Sequence, residues 1–550
     1  VTIEAVARGW LAEDPDPDTR AELAALLDAG DTAALADRFG SRLQFGTAGL
    51  RGALGAGPNR MNRAVVMRAA AGLASYLLDN RGTSVVIGYD ARHKSDVFAR
   101  DTAAVMAGFG LTASVLPRPL PTPVLAFAIR HLGASAGVMV TASHNPPQDN
   151  GYKVYLGDGG QIVPPADADI SRHIDAVGTL ADIPLSDAWT VLDDAVLDAY
   201  LEGLASMPLL ASLPHRDVRI AYTPLHGVGR DVVLAAFARA GFGSLSVVAE
   251  QGAPDPNFPT VAFPNPEEPG AIDLALALAR ETSAELVLAN DPDADRCAVA
   301  IPDPLVAGEW RMLRGDEVGA LLADFLLSNG VSGRYATTIV SSSLLSKMAA
   351  RHGMAYSETL TGFKWIVNAG DDLVYGYEEA LGYCVAPSLT RDKDGISAAL
   401  TVALLAATLK VSGSSLVSRL DDIARSYGLH ATDQMSVRVT DVAQINDAVV
   451  RLRAQPPSEL GRMPVTSIDD LSAGVGGLPP TDGLRFWLDG TMLGFGPGRV
   501  VVRPSGTEPK LKSYLEVVID VTDTVDVARA RARVQLNAIA ADLGVASGLG

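Results

Sequence analysis

Apolar residues recur at helical spacing through about the first forty positions. Ile3-Glu-Ala-Val-Ala7 and Asp18-Thr-Arg-Ala-Glu-Leu-Ala-Ala-Leu-Leu27 predict helices of an N-terminal packing arm. The pattern then changes. Ser84-Val-Val-Ile-Gly-Tyr89 is an apolar run of strand length, followed by polar residues 90–95 and a helical pattern over about 96–109. Leu111-Thr-Ala-Ser-Val-Leu116 predicts the next strand, and the prolines of 117–123 stiffen a connection that restarts a helix. Ala136-Gly-Val-Met-Val-Thr141 and Gly151-Tyr-Lys-Val-Tyr155 predict two further strands. Val218-Arg-Ile-Ala-Tyr222, Glu285-Leu-Val-Leu-Ala289 and Tyr335-Ala-Thr-Thr-Ile-Val340 are strands of later units. This alternation predicts an α/β fold. The domains are expected at residues 1–205, 206–314, 315–430 and 431–550.

Length agrees, because 550 residues exceed one core and suggest about three or four domains. With 48% hydrophobic and 20% charged residues the chain is globular. An uncharged apolar run long enough for a membrane span is missing, and residues 1–10 lack the pattern of a secretory signal. Cys297 and Cys384 make neither a disulfide framework nor a zinc quartet, so a cytoplasmic location is expected. The net charge of −19 argues against nucleic-acid and anionic-membrane partners. It also means that a phosphate-ester substrate would need basic residues concentrated in a few loops.

Four stretches carry candidate chemistry. In Thr141-Ala-Ser-His-Asn-Pro-Pro-Gln-Asp-Asn-Gly151 the two prolines stop both strands and stiffen the loop. Ser143 stands just past a strand end, where it is either a nucleophile or part of an ordinary turn bonded to nearby backbone. Gln44-Phe-Gly-Thr-Ala-Gly-Leu-Arg-Gly52 has three glycines that allow a tight, exposed backbone, and little stands beside Arg51 to shield its guanidinium. In Asn290-Asp-Pro-Asp-Ala-Asp-Arg296 the carboxylates of Asp291, Asp293 and Asp295 repel one another unless a cation lies among them. Their hard oxygens favour Mg²⁺. An EF-hand loop is excluded by Arg296 at its sixth position and Pro302 at its twelfth. The fourth stretch is Arg503-Pro-Ser-Gly-Thr-Glu-Pro-Lys-Leu-Lys512. Its glycine-bearing turn can offer N–H groups to an anion, Arg503, Ser505 and Thr507 add charge and hydroxyls, and Lys510 and Lys512 share one strand face. Gly227-Val-Gly229 is no dinucleotide fingerprint, since the third glycine position holds Val232, and His226 reads as a loop-packing residue.

These stretches, in this order, resemble the signatures of the α-D-phosphohexomutases, the phosphoglucomutase/phosphomannomutase superfamily. The resemblance runs from residue 46 to residue 512. It implies three related α/β domains with mixed sheets and a smaller C-terminal α+β domain, heart-shaped around a central cleft. It also implies a phosphosugar mutase: phospho-Ser143 gives its phosphoryl group to a sugar monophosphate, and the resulting bisphosphate, which also acts as activator, restores the phosphoserine. Arg51 would stabilise the transferred group, and Lys153 or His144 would shuttle the proton. Asp291, Asp293, Asp295 and Ser143 would hold Mg²⁺. Substrate contacts would come from Arg296, Thr361, Gly362, Lys364, Glu378, Lys393, Arg503, Ser505, Gly506, Thr507 and Lys512. Asp90-Ala-Arg92 resembles a family segment near the serine and reads equally as a strand-end salt bridge. In Tyr377-Glu-Glu-Ala380, Tyr377 and Ala380 replace the glycine and serine of many members, a form similar to the subgroup that includes phosphopentomutases. The expected partner is a small phosphosugar, with the protein a monomer or homodimer. The reaction expected is 1-to-6 transfer on glucose or mannose phosphate; the alternatives are 1-to-5 transfer on a pentose phosphate, bisphosphate synthesis, and non-catalytic sugar-phosphate binding. A zinc hydrolase is disfavoured because the eight histidines show no ligand spacing.

Overall fold

The computed structural model describes residues 2–46, 49–439, 441, 443–505 and 510–549. The chain forms two compact units, Val1–Leu313 with Gly382–Thr408, and Arg314–Leu381 with Leu409–Gly550.

In the first unit, β1 (Leu50–Ala53), β2 (Ser84–Tyr89), β3 (Thr112–Val115), β4 (Ala136–Val140), β5 (Asp149–Leu156) and β6 (Thr190–Val191) form a sheet of order β1-β5-β4-β2-β3-β6. The central strands β4, β2 and β3 run parallel, whereas β5 is antiparallel to both β4 and β1. All five residues of β4 are buried, as a strand covered on both faces requires. The ladder tightens at Gly49, whose φ is +76°; a Cβ there would lie 1.9 Å from the Tyr152 carbonyl oxygen. Only glycine lets the chain pass so close to β5. The alanine-rich helix Arg63–Asp79 buries its small residues in the core under this sheet.

A second sheet repeats the plan. β7 (Ile220–Thr223), β8 (Ser246–Val247), β9 (Leu286–Ala289), β10 (Ala298–Pro302) and β11 (Trp310–Met312) lie in the order β11-β10-β9-β7-β8. β7, β8 and β9 are parallel, and β10 turns back antiparallel. In each sheet a hairpin therefore leaves the carboxyl end of a parallel strand. The first hairpin loop, residues 141–148, carries Ser143; the second, residues 290–297, carries the three aspartates. Residues 206–216, at the expected start of the second domain, contain the short helix Pro208–Ser212.

The second unit opens with the parallel strands β12 (Arg334–Thr338), β13 (Ala355–Thr359) and β14 (Leu373–Glu378), with β12 in the middle. The first unit is completed by β15 (Gly382–Cys384), which bridges Arg296 through Gly382, and by the residues that follow it up to Thr408. The second unit then continues into an antiparallel sheet of β16 (Leu429–Arg438), β17 (Glu459–Leu460), β18 (Met463–Asp470), β19 (Leu484–Asp489), β20 (Pro497–Pro504) and β21 (Lys510–Ile519), in the order β16-β21-β20-β19-β18-β17. The helix Val525–Ser547 packs its apolar stripe against this sheet. Among the described residues no single helix is long and apolar enough to cross a membrane.

Candidate active site

Ser143 lies three residues beyond β4 with φ +50°, a left-handed conformation that is costly for a residue with a Cβ. Its N–H donates to Thr141 Oγ1 at 2.8 Å. Its hydroxyl donates to Asp291 Oδ2 at 2.6 Å, and Nδ1 of His144 is 3.1 Å from the same Oγ. Two loops 148 residues apart thus meet at one oxygen. The acidic loop is also closely approached by Gly227, where a Cβ would stand 2.3 Å from Pro292 Cα. This glycine serves the close approach of residues 223–229 to the acidic loop. His226, the suspected packing residue, bonds through Nε2 to Thr260 Oγ1 at 2.8 Å.

Asp291, Asp293 and Asp295 are buried, and each offers one oxygen within 4.8 Å of the others. Asp293 Oδ2 accepts from Thr122 Oγ1 at 2.6 Å and from Lys153 Nζ at 2.8 Å. Asp295 Oδ2 accepts from Lys153 Nζ at 3.1 Å and lies 3.2 Å from Lys393 Nζ. Arg296 Nε is 4.0 Å from both Asp291 Oδ2 and Asp295 Oδ1. Oδ1 of Asp293 and Oδ1 of Asp295 are buried with no hydrogen-bond partner. Two orphaned carboxylate oxygens in an all-oxygen cluster fit a hard divalent cation. Burial, reinforced by Asp293 and Asp295, pushes the Asp291 carboxyl well above its usual range. Burial and Asp295 also act to raise Asp293, but Lys153 outweighs them and brings it down. Burial, then Arg296 and Arg51, lowers His144 well below the ordinary imidazole range and keeps it neutral.

Arg51 is positioned differently from the sequence expectation. Instead of standing unshielded on an open turn, it belongs to β1, opposite Gly151, and its Nη1 donates to Asn145 Oδ1 at 3.1 Å. The side chain that shields it comes from the serine loop, 94 residues along the chain. Lys393, expected at the substrate, faces Asp295. Its segment is fixed by Asp392, which accepts from Tyr155 Oη and Gln161 Nε2, both at 2.8 Å, and by Asp394, which accepts from Tyr200 Oη at 2.9 Å. Ser143, His144, Arg51, Lys153, Arg296, Lys393 and the three aspartates therefore converge in the first unit. Thr122 and Asn145 complete this cluster; Thr122 gave no signal in sequence, whereas Asn145 stands in the serine-loop stretch. Asp90 and Arg92 form the strand-end ion pair, 3.5 Å from Asp90 Oδ2 to Arg92 Nε, and Arg92 also contacts the serine loop.

The second unit holds the other predicted residues. Thr361 Oγ1 is buried without a hydrogen bond, and Gly362 turns the chain at φ +112° into the helix Phe363–Val367. Lys364 Nζ lies 5.7 Å from the Trp365 ring centroid. Glu378 is buried at the end of β14, while its neighbour Glu379 accepts from Ser341 Oγ at 2.9 Å and Thr338 Oγ1 at 3.3 Å. Arg503 and Lys512 are cross-strand partners on β20 and β21, and Ser505 N–H closes the hairpin on the Lys510 carbonyl at 2.8 Å. Gly506 and Thr507 lie outside the described residues.

Four family models match the chain in order. They describe the phosphoglucomutase/phosphomannomutase alpha/beta/alpha domains I, II and III, at residues 42–180, 198–304 and 314–426, and the C-terminal domain, at residues 494–534. A Haemophilus influenzae protein named "probable phosphomannomutase" is 48% identical over 83% of this chain and 93% of its own. Human phosphopentomutase is 36% identical over 92% of this chain and 90% of its own. The crystal structure of a phosphoglucomutase/phosphomannomutase family protein from Burkholderia thailandensis has the same fold, with a TM-score of 0.67 at 19% identity over 91% of this chain and 97% of that one. With the four signatures in order and relatives aligned along nearly its full length, the chain belongs to the α-D-phosphohexomutase superfamily and is a phosphosugar mutase.

Proposed function

We propose that this mutase moves a phosphoryl group between C1 and C6 of a hexose phosphate, glucose or mannose, through phospho-Ser143 and a bisphosphate. The observation that carries the reading is the 2.6 Å contact of Ser143 Oγ with Asp291 Oδ2, beside two carboxylate oxygens with no partner. In the forward half-reaction the bond from phosphorus to Ser143 Oγ breaks and a bond to the free sugar hydroxyl forms. The hydroxyl proton passes to neutral His144, or to Lys153 as a free amine, and the departing Ser143 oxygen takes up a proton in its place. The second half-reaction reverses the roles with the other phosphate of the bisphosphate and restores phospho-Ser143; added bisphosphate is therefore an activator. Asp291, Asp293, Asp295 and the phosphoserine would hold Mg²⁺, which supplies charge neutralisation at the transferred group. Arg51, fixed by Asn145, aims its guanidinium at the same charge. Arg296, Lys393, Thr361, Gly362, Lys364 and Glu378 are proposed for the sugar phosphate. Arg503, Ser505, Gly506, Thr507 and Lys512 are proposed for the phosphate that is not reacting.

A second reading, transfer between C1 and C5 of a pentose phosphate, is favoured by the sugar loop. Ala380 stands where many hexose members carry serine, Glu379 is already bonded to Ser341 and Thr338, and a human phosphopentomutase is among the relatives. We further propose four domains with boundaries at 205/206, 314/315 and 430/431, supported by the spacing of the four family matches. A reducing cytoplasm suits the two buried free thiols, Cys297 and Cys384.

The test is a coupled assay with glucose, mannose, ribose and deoxyribose 1-phosphates, with and without the matching bisphosphate. Peptide mapping of Ser143 accompanies it. Full activity in Ser143→Ala would exclude the phosphoserine route, and a preference for the pentose esters would replace the hexose reading.

A further inference from the structure

Arg92 lies three residues past β2 and is buried, with 4% of its surface exposed. Nη2 donates to the carbonyl of Ser143 at 2.5 Å and also to that of Asn145. Nη1 donates to the carbonyls of Pro146 at 2.8 Å and Asp149 at 3.1 Å. Three acceptors belong to the loop that carries the nucleophile, and the fourth, Asp149, is the first residue of β5. The guanidinium is itself fixed. Asp90 lies 3.5 Å from Nε, and the Asp90 carboxylate accepts from Ser95 Oγ at 2.7 Å and from the Arg92 N–H at 3.0 Å. The Phe258 ring covers the guanidinium, with its centroid 4.9 Å from Cζ.

The segment itself supplies a bond to one of these carbonyls, from the Asp149 N–H to the Pro146 carbonyl at 3.1 Å. Pro146 and Pro147 have no N–H, and the turn points several carbonyls at one place. A planar fork with five donors is the one side chain that satisfies so many acceptors at fixed angles. The bond to the Ser143 carbonyl has a further effect. It fixes the peptide plane that follows Ser143, and so sustains the φ of +50° that points Oγ at Asp291. A serine left without that restraint relaxes toward the commoner backbone regions and carries its oxygen away from the acidic cluster.

We infer that Arg92 is a positioning residue for phosphoryl transfer: it holds the Ser143 loop in the one conformation that presents Oγ to the Asp291 cluster. The inference rests on Ser143 being the phosphoryl carrier. The described bonds of Arg92 go to the loop carbonyls and Asp90, not to the acidic triad. Its loss therefore acts on the transfer step, because misplacing a reacting atom by about 1 Å costs on the order of 100-fold in rate.

The experiment compares wild type, Arg92→Met and Arg92→Lys. It measures kcat, KM, labelling of Ser143 by the sugar bisphosphate, Mg²⁺ affinity by calorimetry, and thermal unfolding. Arg92→Met should lose about 100-fold in kcat and in the rate of Ser143 labelling, with KM within about threefold and Mg²⁺ affinity lowered by less than kcat, since Ser143 is one of four groups proposed to hold the ion. Arg92→Lys, which keeps charge and some donors but not the fork, should fall between, near about tenfold. It also decides the matter if Arg92→Met does not fold. A folded Arg92→Met, or failing that a folded Arg92→Lys, with kcat within about twofold of wild type overturns the inference, as does a loss confined to KM or to melting temperature. Wild-type enzyme that takes no phosphate at Ser143 overturns the functional reading beneath it.

Discussion

Glu516 Oε2 lies 3.0 Å from Nη2 of Arg499, its registered partner across the β20–β21 ladder. The pair is buried and extends outward: Arg499 Nη1 meets Glu358 Oε1 at 3.2 Å, and Glu516 Oε1 accepts from Ser342 Oγ and the Ser343 N–H, both at 2.8 Å. Period-two spacing places Val501 and Tyr514 next on the same face, where they join an apolar cluster with Leu360 and Leu471, and then Arg503 and Lys512. One strand face therefore carries an anchor pair, an apolar pair and the cation pair proposed for phosphate.

The anchor makes a stability prediction. Burial acts to raise the Glu516 carboxyl, but Arg499, with hydrogen bonds from His430 and Ser342, outweighs it and brings the carboxyl down to about 2. Its stabilisation is thus complete above the ordinary glutamate range and disappears as pH falls from about 4.3 toward 2. Glu516→Gln leaves Glu358 as the counter-charge of Arg499 and should cost about 1.5–3 kcal/mol at pH 7 in denaturant unfolding, a gap that narrows in acid. A gap independent of pH would show that lost packing, not charge, is responsible.

Asp316 has the opposite sign. Burial pushes its carboxyl up to about 6, against hydrogen bonds from the Ser342 N–H at 2.7 Å and Tyr377 Oη at 3.2 Å. The folded protein holds this proton where the unfolded chain has lost it, so stability falls as pH rises from about 4 to 6 and then levels. Asp316→Asn keeps an acceptor for both bonds and removes the charge. It should raise stability at pH 7 by on the order of 2–3 kcal/mol and flatten that slope. Thermal melts across pH 4–7 measure both effects.

The lysines on the acidic cluster predict a metal effect. Excess chelator should stop turnover and Mg²⁺ restore it. Lys393, 3.2 Å from Asp295, repels a cation bound there. Lys393→Met should bind Mg²⁺ about fivefold more tightly in calorimetry, even where catalysis suffers. Unchanged or weaker binding would mean that Lys393 holds the loop in shape rather than tuning its charge.

Arg503→Ala tests the cation pair. An arginine–phosphate contact contributes about 1.5–3 kcal/mol, so kcat/KM should fall roughly 10–150-fold while Mg²⁺ affinity stays at the wild-type value. A loss under about twofold would take the phosphate role away from this strand.

The chemistry readable from sequence was the chemistry that is local in sequence. Ser143 and the Asp291, Asp293 and Asp295 series are contained in single loops, and the structure brings those loops into contact. Strand edges such as Ser84–Tyr89 were likewise written in short apolar runs. The guanidinium of Arg51 reads as unshielded from its neighbours in sequence because Asn145, which bonds it, lies 94 residues away. Lys393 facing Asp295, and the Arg92 bonds to four carbonyls, depend on which loops fold together, and no spacing encodes that. Arg499 and Glu516 drew no expectation, since a charged residue on a strand gives no sign that it is buried until its partner is known.

The first unit is discontinuous: Gly382–Thr408 returns to it after residues 314–381 have entered the second. Ribosomes deliver the chain in one direction, so Ser143 and the acidic loop emerge long before Lys393, Asp394 and the rest of the closing segment. During that interval Asp295 lacks one of its cations and Tyr200 lacks the carboxylate of Asp394. The nascent first unit is thus short of its final charge balance until translation has passed residue 394. Its completion is tied to the synthesis of the first third of the second unit, and truncation anywhere between residues 314 and 381 leaves both units unfinished.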